Sequence, residues 1–97
     1  MDVEIIIKKV NETWTCDDTD VHLKDEPTVV WECTDDTLDW EIVFVDKPDH
    51  PHPLKLKKLS KKEKKSKLKK DAKKGPHKYT VRVGDLDELD PELIVKP

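Results

Sequence analysis

His50 and His52 flank Pro51 in the run Asp46-Lys47-Pro48-Asp49-His50-Pro51-His52-Pro53. Imidazole nitrogen and carboxylate oxygen are ligands for Zn²⁺ and Cu²⁺, and Asp46 and Asp49 put carboxylates beside the two rings. Proline spacing holds the rings apart, however, and no closed ligand pattern of the usual type is present. His22 reads as a surface strand residue. Cys16 and Cys33 are the only cysteines, each two residues after a tryptophan in a strand-like run. A disulfide between them is possible if the two strand ends are neighbours. Two buried free thiols are the equal alternative. A metal-binding pair is not indicated, since no C-x-x-C or Cys–His spacing exists.

The third group is cationic. Between Lys55 and Lys74 there are twelve lysines against Glu63 and Asp71, a net of +10, while the remainder carries 7 basic and 20 acidic residues, a net of −13. Lys61, Lys62, Lys64, Lys65, Lys67, Lys69 and Lys70 form a candidate polyanion site. Nucleic acid, heparin-like polymers or anionic lipid would bind there through counterion release. The strip has no arginine and no interleaved aromatics, which removes bidentate phosphate contacts and stacking and argues against nucleic acid. The plainer reading is a solvated strip that balances an acidic body. Catalysis has no support: there is no Ser/His/Asp context, no glycine-rich phosphate loop and no distinct carboxylate pair. The acidic stretch from Asp85 to Glu92 lacks the glycine and ligand pattern of a calcium loop.

The elements that must position these groups are strands. In Thr28–Val45, Val29, Trp31 and Cys33 fall on one face, and Trp40, Ile42 and Phe44 on another. Period two in β-branched and aromatic residues marks half-buried strands. Val43 and Val45 break the alternation, so that end is expected to be covered on both faces. Val3, Ile5 and Ile7 give a first strand to about Val10, and Trp14 and Cys16 an extended run. Asp17–Asp20 reads as an Asx turn, followed by a strand over Val21 and Leu23. Tyr79, Val81 and Val83 point inward on a strand over 77–83, Asp85–Pro91 is an acidic loop carrying Leu86 and Leu89, and 93–95 is the last strand. Residues 55–74 have two readings. Ser60-x-x-Glu63 is a capping box, with Gly75 and Pro76 as stops, which predicts a helix over 61–74. Its few apolar residues and its lysines at i,i+3 and i,i+4 oppose that. The alternative is a strand over 54–58, a short helical turn near 60–65 and a strand through Leu68.

Ninety-seven residues make one domain. Apolar residues are 34% and charged residues 42%; the apolar ones cluster in periodic runs, which argues against disorder. Only two glycines are present, so Asp, Asn and Pro must serve most turns and primed hairpins should be uncommon. No stretch is long and apolar enough to span a membrane. No signal peptide precedes the first strand, which leaves a cytosolic chain, or a periplasmic or secreted one whose leader was replaced by Met.

Three pieces carry a resemblance: Trp14-x-Cys16 to Val21-His22-Leu23 with Thr28-Val29-Val30-Trp31; the strand from Trp40 to Phe44; and Ala72-Lys73-Lys74-Gly75-Pro76-His77-Lys78-Tyr79-Thr80-Val81 with Asp90-Pro91-Glu92-Leu93-Ile94-Val95. Together they resemble a small bacterial cupredoxin-like domain over nearly the whole chain outside the lysine-rich segment. The resemblance implies a single Greek-key β-sandwich, cupredoxin-like or immunoglobulin-like, of about seven strands. It also implies that His77 lies close to His50 and His52, making a three-imidazole metal site. It does not extend to blue copper. Trp40 stands where a copper-binding member has histidine, and the loop Gly84–Asp90 holds no Cys, His or Met. Electron transfer is therefore rejected.

The expected function is a non-enzymatic structural or protein-interaction module, monomeric or weakly dimeric, with no cofactor and an unknown protein partner. Metal binding through the histidines and polyanion binding through the lysines are the alternatives. The narrow alphabet of 55–74 also resembles an engineered surface on a natural scaffold.

Overall fold

The computed structural model describes residues 1–85 and 87–97, Asp87 by its backbone only; the Leu86 expectation lies outside the described residues. Ten strands follow in order: β1 (Asp2–Val10), β2 (Thr13–Cys16), β3 (Thr19–His22), β4 (Thr28–Cys33), β5 (Trp40–Phe44), β6 (Lys58–Ser60), β7 (Lys65–Lys67), β8 (Gly75–Val83), β9 (Asp87–Leu89) and β10 (Glu92–Lys96). One sheet has the order β2-β1-β4-β7. The other runs β3-β10-β8-β5-β6, with β9 also paired to β8. Both sheets are mixed: β1 runs parallel to β4, and β10 parallel to β3, while the other pairs are antiparallel.

The alternation in the sequence is the alternation of burial. Ile5, Ile7, Val29 and Trp31 face inward from the first sheet, and Ile42, Phe44, Tyr79, Val81, Val83, Leu93 and Val95 from the second. The central runs β4 and β5 lie in different sheets, so their aromatic residues meet across the core. Trp31 packs edge-on to Phe44 and Tyr79, with ring centroids 6.2 and 5.6 Å away, the geometry that aromatic quadrupoles favour.

Each long side of the sandwich is closed by a segment that changes sheets. On one side the chain leaves β2, turns at Asp17-Asp18 and enters β3 in the other sheet. Asp18 Oδ1 accepts the Glu92 N–H (2.8 Å) and ties this corner to β10. On the other side, 53–56 lies along β7, crosses to β6 beside β5, and returns to β7.

Several expectations are corrected. Among the described residues there are ten strands rather than about seven, because short pieces at 58–60, 65–67 and 87–89 pair separately. No helix forms over 61–74. Ser66 and Leu68 are buried while Lys65 and Lys67 are exposed, so period two wins over the capping signal. Ser60 and Glu63 instead exchange backbone hydrogen bonds (3.0 Å each) around Lys61-Lys62, forming a tight turn rather than a helical one. Leu54 makes only an isolated bridge to Leu68, and the strand expected at 54–58 forms at 58–60. Thr19 and Asp20 are strand, whereas Leu23–Asp25 is a 3-10 turn closed by Glu26 in the left-handed region (φ 45°). Asp87–Leu89 pairs with β8 instead of looping. Val45 is 41% exposed, not covered on both faces. One primed-type hairpin does occur. Val10 pairs with Thr13 across Asn11 (φ 48°) and Glu12 (φ 65°), the two positive φ values of a type I′ turn.

Candidate functional site

The lysine-rich segment is the larger of two candidate regions. Buried Leu54 and Leu68 anchor it from within. Lys55 N–H donates to Lys67 O (3.0 Å), Lys69 N–H to Pro53 O (2.9 Å), and Leu56 N–H to the Ser66 hydroxyl (2.9 Å). A serine oxygen thus stands in for a ladder carbonyl, and the β7 edge is covered, as sheet edges generally must be. Trp31 N–H donates to Lys64 O (2.9 Å), fixing the return of the chain to the first sheet.

The candidate lysines divide by partner. Lys64 is bonded to Glu32, Lys61 donates to the Asp36 carbonyl, and Lys70 lies 3.7 Å from Glu26. These three serve the acidic body, each an exposed pair of little energetic weight. Among the described residues, no carboxylate oxygen lies within 4.0 Å of the Lys62, Lys65, Lys67 or Lys69 ammonium groups. Lys69 is half-buried; the other three are exposed.

The second region is the histidine loop. Lys47 and His50 exchange backbone hydrogen bonds (3.0 and 3.1 Å) around Pro48-Asp49, proline taking the turn position that its fixed φ suits. This turn lays the His50 ring on His77, with centroids 4.4 Å apart and 31° between planes. His77 opens β8, is 1% exposed, and donates from Nε2 to Lys73 O (2.6 Å). A carbonyl can only accept, so the proton of neutral His77 sits on Nε2 and Nδ1 carries the lone pair. That Nδ1 is buried with no hydrogen-bond partner among the described residues. Burial pushes the His77 pKa below the ordinary imidazole value; the hydrogen bond to the Lys73 carbonyl opposes this, while the His50 ring and the Lys73 charge add to it.

His52 is engaged elsewhere: its Nδ1 donates to Leu54 O (2.7 Å) and its N–H to Asp46 Oδ1 (3.1 Å). The structure therefore brings His50 to His77 but does not assemble three imidazoles. Among the described residues, no group of three or more His, Cys, Asp or Glu side chains is placed to hold a metal ion.

A buried polar chain was missed from the sequence. Trp31 Nε1–H donates to the Tyr79 hydroxyl (3.3 Å), which also meets Cys16 Sγ (3.6 Å). It joins the two sheets through the core. Burial raises the Tyr79 pKa far above the usual phenol value and also raises that of Cys16. The signal was available: an inward Trp and an inward Tyr each bring a polar atom that burial obliges to find a partner.

The Cys16–Cys33 bridge is not formed; both are free, half-buried thiols. Ile7 of β1 pairs with Cys16 on one side and Cys33 on the other. Two ladder spacings, about 9.6 Å, separate the cysteine backbones, against the roughly 4.4–6.8 Å a disulfide needs. Cys33 lines a cleft of about 250 Å³ with Glu32, Asp36, Trp40, Lys61 and Lys64. Of its charged groups, Lys64 is paired with Glu32 and Lys61 is held by the Asp36 backbone carbonyl, so the two ammonium groups are engaged at its wall.

No protein-family model matches this chain, and comparison with curated proteins gives no match.

Proposed function

We propose that this chain is a non-enzymatic β-sandwich that acts as a protein-interaction module. One observation carries the reading. The side chains best suited to chemistry, namely His77, Tyr79, Cys16 and Trp31, are spent on internal hydrogen bonds and packing, while unpaired charge is gathered on the outside along one wall. A site for catalysis or metal needs several such groups converging on accessible space; a docking surface needs accessible charge and shape.

The finer fold reading, a cupredoxin-like arrangement without blue-copper ligands, is supported by the strand order, in which the first strand runs parallel to β4 and the last parallel to β3. Trp40 at the head of β5 is buried in the core, which supports a packing role where a copper-binding member would place a ligand.

The test is a thermal melt with EDTA, Zn²⁺ or Cu²⁺. The interaction reading expects the same melting temperature in all three. A metal-dependent rise abolished in His50→Ala replaces it with the metal-binding alternative, because a ligand that prefers the folded state must stabilise it.

A further inference from the structure

Lys55 and Lys67 lie directly opposite each other across an antiparallel contact. Leu54 bridges Leu68, both buried, and Lys55 N–H donates to Lys67 O. The next residue on each side, Lys55 and Lys67, is exposed. Side chains opposite one another in this way stand about 5 Å apart at Cβ, and like charges so placed are destabilising. Lys65 follows Lys67 two residues along β7 on the same outward face, about 6.8 Å away. None of the three has a carboxylate oxygen within 4.0 Å among the described residues. Twenty acidic residues elsewhere could have neutralised them.

The same face limits what can sit there. Lys67 pairs with Thr28, which pairs with Asp2; Lys65 pairs with Val30, which pairs with Glu4. Moving inward from the edge, the outer face goes from lysine through a half-buried Thr or Val to an exposed carboxylate. Two strand spacings, about 9.6 Å, separate the rows. An anion is attracted to the edge and repelled from β1, so it is held to a line along β7.

We propose that Lys55, Lys65 and Lys67 form a docking site for an extended acidic segment of a partner protein, with Asp or Glu at alternate positions. This rests on the interaction-module reading. The match is geometric: alternate side chains of an extended peptide repeat at about 6.8 Å, as Lys65 and Lys67 do. Thr28 and Val30 supply a hydroxyl and an apolar contact beside the charges. Nucleic acid fits less well, because no aromatic side chain or arginine lies on this edge to stack or to grip phosphate.

The probe is an alternating Glu-Ser peptide, titrated into the labelled protein and followed by amide NMR shifts, beside a single-stranded oligothymidylate of equal charge. The peptide should shift amides of 28–30, 54–56 and 64–68. It should bind less tightly as salt rises, and weaken about tenfold or more in a Lys55→Glu/Lys65→Glu/Lys67→Glu variant. A Lys78→Glu/Lys96→Glu control, on the opposite sheet, should retain binding. Tighter binding of the oligonucleotide, or no binding at low salt, overturns the proposal. Unchanged peptide affinity in the triple variant overturns this surface but leaves the module reading standing; a metal-dependent melt sinks the module reading itself. Lys67→Gln guards against misfolding of the triple variant: relieving an unpaired like-charge contact should hold or raise its melting temperature, and a fall overturns the placement.

Discussion

His50 lies on His77 at 4.4 Å, and the buried Nδ1 of His77 has no hydrogen-bond partner among the described residues. Protonation would place an N–H there with no acceptor, beside a second imidazole and Lys73. The folded-state pKa of His77 therefore lies below the unfolded value of 6.5. For a group so depressed, neutrality is what folding favours. Its contribution to stability is complete above the unfolded pKa and lost as pH falls through the folded one. Melting temperature should drop between pH 7 and pH 5, and His77→Leu should flatten that slope. An NMR titration placing the His77 ring at or above 6.5 would contradict the argument.

Tyr79→Phe removes one oxygen and leaves Trp31 Nε1–H without its acceptor in a core where Trp31 is fully buried. The expected loss is about 1–3 kcal/mol, read as a lower denaturant midpoint at unchanged m-value. Trp31→Ala also empties the volume against Phe44 and Tyr79, and should cost about 3–5 kcal/mol. If Tyr79→Phe is neutral, the buried hydrogen bond carries no net stability.

Glu12 occupies the second left-handed position of the β1–β2 hairpin at φ 65°. Glycine adopts that conformation without steric cost, and Asn-Gly is the preferred pair for this turn. Glu12→Gly should stabilise the protein by about 0.5–1 kcal/mol, a rise of several degrees in melting temperature for a domain of this size. The Lys9–Glu12 contact it removes is exposed, at 3.6 Å, and offsets little of that. A lower melting temperature would mean that the ion pair outweighs the turn.

With Ile7 between them, Cys16 and Cys33 cannot be joined without moving a strand. Reductant should leave the melting curve unchanged, and thiol reagent after unfolding should count two free cysteines. A count of zero would require a different β1 register.

The sequence by itself determined the class of the fold and the inward faces of its main strands. Burial alternates with the residue, and Val29-Trp31, Ile42-Phe44 and Tyr79-Val81-Val83 write that alternation in side-chain type. It misled where a local signal competed with a distant one. Ser60 and Glu63 spell a helix cap, yet Ser66 and Leu68 find a sheet and a core only once 53–56 has crossed beside β7. What the tertiary structure decided is pairing. β1, lying between β2 and β4, separates the two cysteines; the turn at Pro48-Asp49 carries His50 to His77 but leaves His52 bonded to Leu54; and the sheet-crossing segment sets Lys55 against Lys67. Each depends on register between residues far apart in the chain, which a period of two repeats identically for every register and so cannot specify.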